Sequence, residues 1–146
     1  MKLRRSIVIK ATREKIWPFL VDPEKIIKWC TPINIIRHTG QQRNGVGTSF
    51  YFEEKAVGRM MKLHFIVTEW VLNQSVAFKM TSGNVVKSYE QRYTIETVPS
   101  GSRCTCFEEV TLPYGILGKF AGLFRRFTSN RLLDNMLLNM KHAVED

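Results

Sequence analysis

Arg59-Met60-Met61-Lys62-Leu63-His64-Phe65-Ile66-Val67-Thr68-Glu69-Trp70-Val71 is the stretch on which the fold turns. Side chains two apart on a strand share a face. Met61, Leu63, Phe65 and Val67 form one apolar row, opposite Lys62, His64 and Thr68, with Ile66 and Trp70 as exceptions. The apolar row is expected to face a core, and Arg59 and Glu69 share its parity near the two ends of the strand.

Turn signals continue on both sides of this strand: Gly40, Asn44-Gly45-Val46-Gly47, Gly58, Asn73-Gln74-Ser75, Ser82-Gly83-Asn84 and Pro99-Ser100-Gly101-Ser102. They divide residues 33–112 into six strands, at 33–38, 47–54, 59–71, 75–81, 87–97 and 103–112. The gaps are too short for helices, so successive strands pair as an antiparallel meander. Residues 3–10, rich in β-branched side chains, add a seventh strand.

Two short helices follow that first strand. Thr12 caps one over 13–21, with Ile16, Phe19 and Leu20 on one face, and Pro18 within it implies a kink or a late start. Asp22-Pro23-Glu24 opens the second, which ends near Trp29. Beyond Pro113-Tyr114-Gly115 the apolar period becomes helical, through Leu117, Phe120, Phe124, Leu132, Met136 and Met140. A continuous helix of about 27 residues would span about 40 Å, enough to cross the sheet.

The 146 residues are read as one domain, 1–146, long enough for a core and a cavity. No apolar run approaches the roughly 20 residues that cross a bilayer. The basic start Met1-Lys2-Leu3-Arg4-Arg5 is followed by too short an apolar run for a signal peptide. Three cysteines, Cys30, Cys104 and Cys106, are an odd number and fit reduced thiols in the cytoplasm. Lys and Arg outnumber Asp and Glu 22 to 13, for a net charge of +9. The excess is scattered, gathering only at Lys119, Arg125, Arg126 and Arg131, and is read as a solvated basic surface.

Ile7-Val8-Ile9-Lys10-Ala11-Thr12-Arg13-Glu14-Lys15-Ile16-Trp17, then Asp22-Pro23-Glu24-Lys25-Ile26-Ile27-Lys28-Trp29, resembles the entrance of START-like helix-grip proteins, in particular their polyketide cyclase/dehydrase and lipid-transport group. Gly45-Val46-Gly47-Thr48 and Thr68-Glu69-Trp70 resemble further recurring positions. The resemblance implies an α+β helix-grip fold: a curved seven-stranded antiparallel sheet, two short helices, and a long C-terminal helix over a cavity. Such motifs belong to the scaffold, and the group includes carriers, cyclases, chaperone-activating domains and ribosome-associated proteins, so fold alone does not select a function.

Strand parity supplies candidate site residues. Tyr89, Gln91, Tyr93 and Ile95 share one face of their strand, an apolar surface with polar tips that suits either a ligand cavity or a locally bonded core. Glu108 shares parity with Cys104, Cys106, Val110 and Leu112, so its carboxyl should be paired with a cation such as Arg59, reach water, or have a raised pKa. Cys104-x-Cys106 lies mid-strand, and Cys30, His38, His64 and His142 lack ligand spacing, so no metal is expected. Gly45-x-Gly47 and Gly115, Gly118 and Gly122 make no phosphate-binding loop, so no nucleotide cofactor is expected.

The leading expectation is binding, or transport, of an apolar or amphipathic molecule such as a lipid or polycyclic aromatic. Phe50, Phe65, Tyr89, Tyr93, Phe120 and Phe124 would hold it, and Arg59, Gln91 or Glu108 would orient it. The rival is a cyclase or dehydrase using Glu108, Tyr89 or Tyr93 as proton carriers in the same pocket. A third reading is a basic adaptor acting on ribosome, RNA or chaperone, although no aromatic-basic motif points to nucleic acid. Residues 116–127, with Lys119 and the arginines, could also touch an anionic membrane. The sequence leaves the oligomeric state open.

Overall fold

A computed structural model describes residues 1–56, 58–112 and 129–146. The elements in chain order are β1 (Lys2–Ile9), α1 (Arg13–Val21), α2 (Pro23–Trp29), β2 (Ile33–Thr39), β3 (Ser49–Ala56), β4 (Arg59–Val71), β5 (Ser75–Gly83), β6 (Ser88–Val98), β7 (Gly101–Thr111) and α3 (Asn130–Glu145). All seven strands form one antiparallel sheet in the order β1-β7-β6-β5-β4-β3-β2. This is the helix-grip α+β arrangement expected from the sequence. No helix among the described residues is long and apolar enough to cross a membrane.

The α1 helix starts at Arg13, where Thr12 Oγ1 accepts from Lys15 N at 3.3 Å, so Pro18 does not delay it. Asp22 Oδ1 caps α2 through Glu24 N at 3.0 Å. The carbonyl of Phe19 would meet the amide of residue 23 in a continued helix, but Pro23 has no N–H. The indole Nε1 of Trp29 donates to that carbonyl instead, at 2.8 Å and in a buried setting, which fixes the two helices against each other.

One face of the sheet is dry. Phe50, Met61, Leu63, Phe65, Val67 and Val76 are essentially inaccessible, and they share one core with Ile16 and Leu20 of α1 and with Leu137, Met140 and Val144 of α3. Against β1, α3 is further held by the Arg5–Asp134 pair, with nitrogen–oxygen distances of 2.6 and 2.8 Å, and by the Lys10 amide, which donates to Glu145 at 2.8 Å. Both side chains of the ion pair are more than 40% exposed, so burial of the α3 stripe contributes more than the pair does.

Two sequence expectations are corrected. The β4–β5 register shifts between Val67 and Glu69, a bulge that turns the parity of the chain. Glu69 therefore leaves the inner face and accepts from Arg92 Nε at 2.8 Å, while Trp70 turns inward to pack edge-on against Trp17 at 5.2 Å. The helical stripe is also interrupted. Ser129 has extended backbone (φ −90°, ψ 153°) and its hydroxyl accepts from Leu132 N, so the C-terminal helix of 16 residues begins at Asn130 and does not run through Ser129. The segment 113–128, with Phe120, Phe124 and Lys119, lies outside the described residues.

Gly101 opens β7 with φ +144°, and a Cβ there would lie 2.1 Å from the Ile9 carbonyl oxygen. We expect Gly101→Ala to cost more than about 2 kcal/mol and to lower the melting temperature by roughly 5–10 °C, as read by thermal circular dichroism.

Candidate functional site

The register places Tyr89 opposite Val110, Gln91 opposite Glu108 and Tyr93 opposite Cys106. These side chains therefore stand in two adjacent inward columns. Gln91 Nε2 donates to Tyr89 Oη at 3.1 Å and to Glu108 Oε2 at 3.3 Å. The Tyr89 hydroxyl stands beside Glu108 and helps to hold down its pKa. A carboxyl in an apolar row has thus found neutral donors rather than a cation. Arg59 is exposed at the start of β4, and the Glu108–Arg59 pair considered from parity is not what holds Glu108.

A second carboxyl faces the same space. Along β3, Phe50, Phe52 and Glu54 alternate inward, and Glu54 is 8% exposed. Sequence reasoning missed it, although the two-residue period of the phenylalanines carries the signal. Burial, then the charge of Glu108, pushes the Glu54 pKa up to about 8. Burial also raises Glu108, an effect that Tyr89 and Gln91 partly offset. Tyr89 is raised by burial and by the two carboxylates, and Cys30 and Cys106 are raised chiefly by burial. Those thiols stay protonated at neutral pH and are poor nucleophiles.

The two carboxyls, Tyr89, Gln91 and Tyr93 border a cavity of about 40 Å³, whose other walls include Trp29, Phe52, Phe78, Leu133 and Met136. That space holds on the order of three water molecules. Sites for drug-sized ligands occupy roughly 300–1,000 Å³, so a ligand of that size needs the walls to move. Phe50 and Phe65 sit behind this wall in the core, with Phe65 at 5.0 Å from Phe52 and 5.5 Å from Tyr89. Ser129 and Leu132 bring the start of α3 to the rim. Among the described residues no group of three or more His, Cys, Asp or Glu could hold a metal ion.

The family model for polyketide cyclase / dehydrase and lipid transport matches residues 1–145. The chain belongs to this family. Uncharacterized proteins of Mycobacterium tuberculosis and Mycobacterium bovis are 26% identical over 102 residues, a stretch covering 70% of this chain and 60% of theirs. The fold is shared with a START superfamily protein from Mycobacterium smegmatis (TM-score 0.79, 15% identity, 99% of this chain and 97% of that one). It is shared too with the Zhui aromatase/cyclase from a Streptomyces species (TM-score 0.81, 10% identity, 99% and 93%).

The raised Glu54 has a pH consequence with a definite sign. Between its ordinary value of 4.5 and about 8 the folded chain holds a proton that the unfolded chain has lost. Stability therefore falls as pH rises through that window, by up to several kcal/mol. Melting curves between pH 5.5 and 8.5 are expected to show this loss, and Glu54→Gln should flatten it; an equal slope in both proteins would contradict the assignment.

Proposed function

We propose that the chain binds an apolar or amphipathic small molecule between the inner sheet face and α3. The observation that carries this reading is the Tyr89–Gln91–Glu108 cluster, together with Glu54, set in an otherwise apolar wall. Burying carboxyls costs stability, and apolar residues at 54 and 108 would serve packing better. Polar groups aimed into a small apolar space instead fit the usual design of a ligand site, in which aromatic walls supply affinity and a few hydrogen-bonding groups set orientation.

Entry requires the walls to part. Leu132, Leu133 and Met136 lie on the first turns of α3, and the short helices α1 and α2 meet it on the same side. Movement of these helical contacts would enlarge the cavity without breaking a strand pairing. Burial of the ligand then contributes about 25 cal/mol per Å² before the costs of association.

Native mass spectrometry and tryptophan fluorescence with a panel of fatty alcohols, isoprenoids and polycyclic aromatics test the reading. We expect uptake of at least one class, with a change in emission from Trp29. Met136→Trp should fill the cavity and weaken uptake at least tenfold while retaining a cooperative melt. Absence of uptake across the panel would overturn the proposal.

A further inference from the structure

We propose that this cavity selects ligands that carry a protonated amine, the ammonium lodging beside the Glu54 and Glu108 carboxyls and the aromatic rings of Trp29 and Phe52. The inference rests on the small-molecule reading above and names the class of ligand.

The first support is the charge of the lining. Among the described residues the cavity wall contains two carboxyls and no Lys, Arg or His, in a chain whose net charge is +9. The described lining is thus acidic in a basic chain. An anionic ligand would bring its charge into a poorly solvated space in which no described cation meets it, whereas an ammonium is matched by both carboxyls once Glu54 gives up its proton.

The second support is that the two acids are not equivalently satisfied. Glu108 is bonded by Gln91 and has the Tyr89 hydroxyl beside it. Glu54, more than nine-tenths buried, has no hydrogen-bond partner among the described residues, and its carboxyl borders the cavity. An ammonium offers three donors, enough to serve Glu54 and a lone pair of Glu108 together.

The third is the shape of the wall. Trp29 and Tyr93 stand nearly perpendicular, at 80° and 6.2 Å between ring centres, and Phe52 and Phe78 add further faces. Rings gathered around a carboxyl form the cage that recognises alkylammonium groups through cation–π attraction.

Binding should also move a proton. Among the described residues, the titratable groups facing Glu54 are Glu108 from β7, Tyr89 and Tyr93 from β6, and Cys30 after α2. The described lining residues of β1, α1, α2, β2, β5 and α3 contribute no titratable group. At neutral pH Glu54 is mostly protonated, so an arriving ammonium drives its proton into solvent, close to one per ligand.

Isothermal titration at neutral pH with naphthylethylamine, naphthylethanol and naphthylacetate tests this, run in two buffers of different ionisation enthalpy. The expected result is amine binding at least about tenfold tighter than alcohol, with release of nearly one proton. Glu54→Gln should reduce the amine to the affinity of the alcohol in the same variant. If the alcohol or the acetate binds as tightly as the amine, the selectivity is overturned and the small-molecule reading stands. Amine preference without proton release, or undiminished in both Glu54→Gln and Glu108→Gln, overturns the role given to the carboxyls. If none of the three binds, this inference fails, and the wider panel decides the reading beneath it.

Discussion

The sheet begins and ends on strands that are neighbours in the chain but not in space. β1 lies at one edge and β2 at the other, and residues 10–32 must carry the chain across the whole sheet between them. A single straight helix would overshoot or leave the inner face bare. Two short helices jointed at Asp22-Pro23 make the crossing, and the Trp29 indole compensates for the donor that Pro23 lacks. The joint between the two helices is thus fixed by one buried hydrogen bond, and the same Trp29 ring forms part of the cavity wall.

Most of this was legible from alternation and turn residues. Each hairpin of the meander is short, and a period of two is visible wherever one face is dry, so the strands could be placed without knowledge of their partners. The failures have local causes. A bulge at residues 67–69 reverses parity, and nothing in Thr68-Glu69-Trp70 announces it beyond the misplaced tryptophan. Ser129 stops a helical stripe because its own hydroxyl offers the next turn a cap, a competition that hydrophobic period does not register. Glu54 was hidden by its type: glutamate is so seldom buried that only the phenylalanines before it reveal its direction.

Net charge was the least informative quantity for the site. Among the described residues several basic side chains pair with acids on the outer surface, as in Arg92–Glu69 and Arg103–Glu96. The groups with the largest electrostatic consequences are acids and phenols of the inner face, and a formal count, which scores each such acid as fully charged, does not register that burial favours their neutral forms.

The pairing of β1 with β7 also bears on how the chain comes together as it is made. Lys2 pairs with Glu109 and Ile9 with Ser102, so partners are about 100 residues apart. At roughly 5–20 residues per second, β1 waits on the order of 5–20 s before its partner strand has been synthesised. During that interval the meander from β2 to β6 can assemble from local hairpins, while the nascent β1 has an unpaired edge. Its four cationic side chains within residues 2–10, Lys2, Arg4, Arg5 and Lys10, make that edge unattractive to a second nascent copy.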